Sequence, residues 1–277
     1  MIWAAMKIVS LQDISCYGQC SLTVALPVLS AQGHETVILP SAILSTHTAG
    51  FKGFTCLDLT DELSRILDHW EREGIRFDAV YTGYIGDARQ FDIVRRLRSD
   101  FLVPGGKLIV DPAMADNGVL YPALNQDIVD GMRAIAAEAD LVLPNLTEAA
   151  FLLGRPYQAQ PDRAQVEDIL RGLSALGPAI SVLTGVEPGP GRIGAVAYDR
   201  SADAFTDYFT EHVPRHYHGT GDLFSSVFIG DWIAGKPVHT ALRNASDFIV
   251  AAIKNTIDDP SHPYGVKFEP LLARFFR

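Results

Sequence analysis

Short apolar runs recur along the chain, and each is followed by a longer stretch in which apolar positions return every three or four residues. The runs include "KIVSL" at 7–11, "AVYT" at 79–82 and "KLIV" at 107–110. They predict strands at 7–11, 36–39, 79–82, 107–110, 141–143, 180–183 and 193–198. The longer stretches predict helices at 19–31, 60–73, 88–99, 126–138, 147–153 and 163–176. Several of the runs are continuously apolar, not alternating, which is the mark of strands buried on both faces. A β-then-α rhythm requires right-handed crossovers. The expected fold is therefore α/β, with a mostly parallel, doubly wound sheet between two layers of helices.

The second half changes character. "RIGAVAYDRSADAFTDYFTEHV" reads as adjoining strands around a polar turn at 199–203. "GVEPGPGR" at 185–192 is dominated by glycine and proline and predicts a loop. "TGDLFSSVFIGDWIAG" and "PVHTALRNASDFIVAAIKNTI" then predict two helices joined at 235–237. No composition break marks a linker and no repeat appears, so residues 1–277 are expected to form one domain. Ligands of such sheets bind beyond the carboxyl ends of the strands. Polar segments fall there: "LQDIS", "YTGYIGD", "VDPAMADNG", "LPNLTE" and "LTG".

Composition narrows the options. Hydrophobic residues make up 48% and charged residues 20% of the 277, enough to build a sizeable core. A formal net charge of −10 disfavours a protein that coats nucleic acid or an anionic membrane. No apolar run approaches the ~18 residues of a membrane span, and the opening "MIWAAMKIVSLQ" predicts no signal peptide. Cys16, Cys20 and Cys56 are sparse and odd in number, which suggests reduced thiols in a cytoplasmic protein. Cys16 and Cys20 are expected to be buried or to neighbour a site.

The densest chemistry lies in "HGTGDLFSSVF" at 218–228. Thr220 is a candidate N-cap for a helix beginning near Gly221. Gly219 and Gly221 clear the way to free backbone N–H groups, which with the helix dipole make an anion site. Asp222, in the first turn, is expected to stay ionised because the dipole favours the negative form. A carboxylate beside a phosphate site can accept the proton of an attacking hydroxyl.

Taken with "DPAMADNG", "PNLTEAAFL" and "STHTAGFKG", the "GTGDLF" segment resembles pyridoxal/pyridoxamine kinases of the ribokinase-like superfamily, over nearly the whole chain. The resemblance implies transfer of the γ-phosphoryl of ATP to the 5′-hydroxymethyl group of a B6 vitamer. It implies Gly219, Thr220 and Gly221 as the anion hole and Asp222 as the catalytic base. Asn145 and Glu148 match a motif acting on metal and phosphates, partly through water. Asp111 and Asp116 match acids near phosphates and cations, and Thr184 matches a residue touching ATP phosphates. Thr48 and Tyr84 match positions lining the pyridine pocket. Asp13 stands where several members place a serine against the ring nitrogen, and is expected to meet a protonated ring nitrogen or an amine. Mg²⁺ held by Asp111 and Glu148, a K⁺ dependence and a homodimer also follow from the resemblance.

The residues alone leave alternatives. Asp116-Asn117-Gly118 is also a turn signal of the type I′ kind, and Asn145, Thr147 and Glu148 are also helix-start chemistry. Trp70, Tyr81 and Trp232 read as core, and His47 as packed or exposed. His216 and His218 receive no role. Val213, Phe224 and Ile249 could border an adenine, though core packing accounts for them too. A hydroxymethylpyrimidine kinase would use the same machinery on another ring. A silent vitamin-binding protein would be expected to carry damage at the base or the glycine turn.

Overall fold

A computed structural model describes residues 5–48, 50–122 and 124–276. The strands are β1 (Lys7–Ser15), β2 (Glu35–Leu44), β3 (Cys56–Asp58), β4 (Phe77–Thr82), β5 (Leu102–Val110), β6 (Ala115–Asp116), β7 (Val119–Leu120), β8 (Leu141–Val142), β9 (Ile180–Gly189), β10 (Arg192–Asp199) and β11 (Ala204–Glu211). The helices are α1 (Leu22–Ala31), α2 (Thr60–Arg72), α3 (Gln90–Arg96), α4 (Gln126–Glu138), α5 (Leu146–Leu153), α6 (Arg163–Leu176), α7 (Thr220–Ile233) and α8 (Val238–Thr256). Nine strands form one sheet in the order β11-β10-β9-β8-β5-β4-β1-β2-β3. The pairs from β2 through β1, β4, β5 and β8 to β9 are parallel, and β3, β10 and β11 join antiparallel at the two edges.

Alternate residues of the inner strands feed two cores. Val9, Leu11, Val80, Leu108, Val110, Val142 and Leu183 pack with side chains of α2 to α6. Ile8, Ala79, Tyr81, Ile109, Leu141 and Val182 pack on the other face with α1, α7 and α8. The expected three layers follow from this division. Trp70, expected in the core, is partly buried and packs on its edge, with its ring centroid 5.4 Å from that of Phe77. Trp232 is likewise partly buried against the other core. It borders a cavity of about 290 Å³ with Met6 and Asp78. Among the described residues, no helix is long and apolar enough to cross a membrane.

Several boundaries differ from expectation for local reasons. The helix predicted from 19 begins at Leu22, because Gly18 and Ser21 take positive φ (94° and 52°) and break the turn before it. The helix predicted at 88–99 is regular only over Gln90–Arg96, and a π turn at Leu97–Phe101 leads straight into β5. The segment 185–192 is not a loop: β9 runs to Gly189 and β10 starts at Arg192. Beyond Thr184, β9 is paired on one side by β10, and its partner β8 reaches only Ile180 and Ser181. Pro188 therefore meets no ladder on the open side, the one place a strand tolerates it. Of the pair expected to be buried or to neighbour a site, Cys20 is partly buried and borders one, while Cys16 is exposed and lines neither cavity; Cys56 is also exposed, and all three are free thiols.

Candidate active site

The start of α7 organises the site. Gly219 precedes it with φ 79°, a left-handed conformation, and a Cβ there would lie 1.8 Å from the Gln19 carbonyl oxygen. Only glycine fits. Thr220 is not the N-cap: it is the first helical residue, and its hydroxyl donates to the Tyr217 carbonyl at 3.0 Å. No side chain caps α7, so its leading amides stay available to an anion. A Cβ on Gly221 would meet nothing within 4 Å, which leaves open space before those amides.

Asp222 faces this space from the first turn. Its Oδ2 accepts the Ser21 amide at 2.9 Å, which leaves Oδ1 for a ligand. The carboxyl stays ionised near pH 7, as expected, but is more basic than a dipole-stabilised group would be. Burial pushes its pKa up to about 6, with the nearby Asp13 charge adding to the rise and the Ser21 amide opposing it. Near pH 7 it is a carboxylate with unusual basicity, better suited to taking a proton than a surface aspartate. Beneath it, the Ser226 hydroxyl donates to the Asp222 carbonyl at 2.6 Å.

Two more carboxyls are buried at the ends of the parallel strands. Asp111, just after β5, is 6% exposed, and its Oδ2 accepts the Ser225 hydroxyl of α7 at 2.6 Å. Burial and then the Asp222 charge push it to about 7. Glu148 is 3% exposed; its oxygens accept the amides of Asn145 at 2.8 Å and Met114 at 3.2 Å. Burial and the Asp111 charge raise its pKa well above the usual carboxylate range. Asn145 returns the favour by accepting the Thr147 and Glu148 amides, at 2.8 and 2.9 Å, in a capping box. The helix-start and site readings of this pair are thus one structure. Asp116 stands apart, exposed on the β6–β7 hairpin, where Asn117 and Gly118 (φ 50° and 81°) meet the type I′ requirement. Among the described residues no three Asp, Glu, His or Cys side chains form a metal-binding group. Asp111 and Glu148 are thus a buried pair, and Asp116 is exposed at the rim of the same space.

Asp13 enters from the first strand. The β1–β2 register shifts between Gln12 and Ile14, opposite the Pro40–Ile43 stretch, and the irregularity sits at Asp13. Such bulges re-aim side chains. Asp13 is 5% exposed, accepts the Ser15 hydroxyl at 3.0 Å, and has its pKa raised by burial. His47 is buried over Gly18, its ring 5.1 Å from Phe51 and 5.4 Å from His218. Tyr264 stacks on Phe51 at 4.0 Å and completes an aromatic wall.

These elements enclose two joined cavities. One, of about 560 Å³, is lined by Asp13, Thr48, Tyr84, Asp111, Asp116, Asn145, Glu148, Thr184, Gly219, Gly221 and Asp222. Its size suits a small organic ligand. The second, of about 340 Å³, shares Asp116, Asn145, Thr184, Gly219 and Gly221 with the first and adds Thr220. Its remaining wall includes Val213, Phe224, Ile249, Val250 and Ile253, so the three apolar residues considered for a nucleotide line a cavity as well as packing on the core. Sequence reasoning missed Tyr121, which borders both cavities, and Ser21, Ser225 and His218. Ser225 and Ser21 had a signal in their nearness to the motif; Tyr121 had none.

An uncapped, glycine-led helix start over two joined cavities at the carboxyl edge of a parallel sheet is the layout of ribokinase-like small-molecule kinases. The model of the phosphomethylpyrimidine kinase family matches residues 24–264, and the chain belongs to that family. A candidate phosphomethylpyrimidine kinase from Bacteroides thetaiotaomicron, solved with pyridoxal, is 36% identical, superposes with a TM-score of 0.93 and covers 99% of this chain and 96% of its own. Pyridoxal kinase from Lactobacillus plantarum is 34% identical, with a TM-score of 0.90 over 99% and 97% of the two chains. Hydroxymethylpyrimidine/phosphomethylpyrimidine kinase of Bacillus subtilis is 25% identical over 78% of each chain. The chain is thus a kinase of the pyridoxal/phosphomethylpyrimidine kinase type.

Proposed function

We propose that the chain phosphorylates the 5′-hydroxymethyl group of pyridoxal, pyridoxamine or pyridoxine, using ATP. The observation that carries this reading is the meeting of Asp222 and the uncapped α7 start with Asp13, Thr48 and Tyr84 around one cavity. The vitamer lies in the larger cavity, with its ring near Tyr84 and Thr48. The nucleotide occupies the smaller one, its base against Val213 and Ile249 and its phosphates toward Thr184 and the Gly219–Gly221 amides. Asp222 takes the hydroxymethyl proton as the oxygen attacks the γ-phosphorus, and the α7 amides receive charge on the migrating group. Most of the rate gain is positioning and charge neutralisation.

Asp111 and Glu148 are the residues fit to hold Mg²⁺. Both carboxyls have their pKa raised first by burial, and then Asp111 by the Asp222 charge and Glu148 by the Asp111 charge, which leaves a deficit of positive charge. Mg²⁺ commonly takes one or two carboxylates, with waters and substrate phosphates filling its shell. Both Glu148 oxygens already accept amides, which suits contact through water. When bound, the ion neutralises phosphate charge. K⁺ dependence, a cytoplasmic setting and a homodimer complete the proposal. Ile38, Ile43 and Leu57, exposed on the β2–β3 edge, give a second copy an apolar surface to cover.

Hydroxymethylpyrimidine is the second reading, favoured by the family model and the Bacillus subtilis relative. The pyridoxal-bearing and Lactobacillus plantarum relatives, at higher identity, support B6. A coupled ADP-release assay over pyridoxal, pyridoxamine, pyridoxine, hydroxymethylpyrimidine and ribose tests this. Turnover confined to the pyrimidine would replace the first reading by the second. Asp222→Asn should retain ligand binding and lose on the order of 10²-fold or more in kcat.

A further inference from the structure

We propose that Tyr264 is a positioning residue for the acceptor: from the C-terminal segment it clasps the loop that carries His47 and Thr48 at the larger cavity. The inference rests on the kinase reading of that cavity given above. Residues 45–55 connect β2 to β3. The loop is pinned at its neck, where the Ser45 amide donates to the Thr55 carbonyl at 3.0 Å and the Thr55 amide to the Ser45 hydroxyl at 2.9 Å. Its far part supplies His47, Thr48 and Gly50 to the cavity lining. There the His47 amide donates to the Tyr17 carbonyl at 3.1 Å. The Phe51 ring lies 4.0 Å from that of Tyr264 and 5.8 Å from that of Tyr17. Tyr264 also meets the His47 and Tyr17 rings edge-on, at 6.1 and 6.2 Å. It stands behind the loop and is not among the described lining of the cavity, so it acts on the acceptor through the loop.

The segment that holds Tyr264 is firmly seated. Val266 and Phe268, each 2% exposed, belong to the core that packs on α1, α7 and α8. The Lys267 amide donates to the Thr256 hydroxyl at the end of α8, and Asn255 Nδ2 donates to the Lys267 carbonyl, both at 2.8 Å. On its other side the segment meets Gln19. The Gln19 amide donates to the Tyr264 carbonyl at 3.4 Å, its Nε2 donates to Glu269, and His262 Nε2 lies 3.1 Å from its Oε1. Two residues on, the Ser21 amide holds Asp222. One seated segment thus meets both the acceptor loop and the turn that holds the base. Removing the Tyr264 ring spares the Gln19 contacts, which use the Tyr264 backbone and other side chains. It leaves the loop neck intact but lets the far part sample conformations with Thr48 away from the cavity. Apparent acceptor affinity then falls with the fraction of molecules still competent to bind. The bound arrangement is the same as before, so kcat holds. No described residue of 45–55 or 259–269 lines the smaller cavity, so nucleotide affinity holds as well.

The test measures kcat and KM for pyridoxal and for Mg·ATP with the full chain and its Tyr264 variants. Tyr264→Ala should raise the pyridoxal KM about fivefold or more, with kcat and the Mg·ATP KM within about twofold of the unaltered chain. Tyr264→Phe, which keeps the ring, should match the unaltered chain. An unchanged pyridoxal KM overturns the inference, and so do equal rises for both substrates, which mark a general loosening. Should Tyr264→Ala not fold, Tyr264→Leu carries the same expectation. Phe51→Ala should reproduce the effect, and the double variant should cost no more than either change alone, because both break one contact. Effects that multiply overturn the clasp. If turnover is confined to hydroxymethylpyrimidine, the B6 reading fails and the same comparison on that ring decides the inference. If no acceptor turns over, the kinase reading fails and calorimetry with pyridoxal decides the clasp separately. An affinity about fivefold or more weaker in Tyr264→Ala supports it, an unchanged affinity overturns it, and an unaltered chain that binds no pyridoxal ends both.

Discussion

Gly219 and Gly221 sit two positions apart and are constrained for opposite reasons. Gly219 is fixed by the fold: its φ of 79° and the Gln19 carbonyl 1.8 Å from a notional Cβ exclude any side chain. Gly221 has an ordinary helical place and open space beside it. Gly219→Ala should therefore lower the melting temperature and abolish turnover together. Gly221→Ala should split the two readouts. Alanine gains about 1 kcal/mol of helix propensity over glycine, so the melting temperature holds or rises. Its methyl occupies the room the phosphoryl needs, so kcat/KM should drop at least about tenfold. Thermal melts beside an ADP-release assay check both, and a fully active Gly221→Ala enzyme would move the anion site elsewhere. The motif made these positions legible because glycine, threonine and aspartate announce a turn chemistry. It did not reveal the basicity of Asp222. The helix dipole can be read from sequence, but the burial that raises the pKa, and the Asp13 charge that adds to it, come only with the fold.

At the scale of elements, the inner strands were legible because burial on both faces removes polar residues from them. The edges were not. β3 has three residues, all exposed, and β6 and β7 have two each, too short for a periodic signal. β9 hid behind the glycines and prolines of its outer half, where one open side makes them tolerable. Asp13 gained its position from a register shift that depends on the β2 partner and is invisible along β1 alone. Packing between elements shows a similar dependence. Gly131, inside α4, would place a Cβ 2.0 Å from the Phe91 ring of α3. Helix propensity favours alanine there by about 1 kcal/mol. Overpacking a buried aromatic contact costs about 1–3 kcal/mol. The second term should win, so Gly131→Ala should lower the urea midpoint without changing the slope. A raised midpoint would show that α3 yields easily and that the close approach is not a constraint.

For the whole molecule, concentrating buried carboxyls at one sheet edge has a consequence for stability. Asp222 and Asp111 have pKa values near 6 and 7, and Asp13 and Glu148 are also shifted upward, in each case chiefly through burial. A folded-state pKa above the unfolded value of 3.8 means that the folded state holds the proton more tightly. Stability from such a group is complete below the unfolded value and is lost as pH rises through the folded one. The ligand-free protein should thus become less stable as pH climbs from about 4 through about 7. The aspartates with lowered pKa, such as Asp87 and Asp203, lie in exposed arginine pairs and pull the other way. Exposed pairs contribute little and are screened by solvent and salt, so the buried set should dominate at moderate ionic strength. Thermal melts of the free protein at fixed ionic strength should show a melting temperature that falls between pH 5.5 and pH 8. Asp222→Asn, which keeps the shape and removes one titrating group, should flatten that fall. Saturating Mg·ATP should raise the curve most at the alkaline end, where the carboxyls are ionised and a cation has most to neutralise. A melting temperature that rises with pH across this range would mean that the carboxyls reach solvent or a compensating charge, and the basicity assigned to Asp222 would go with it.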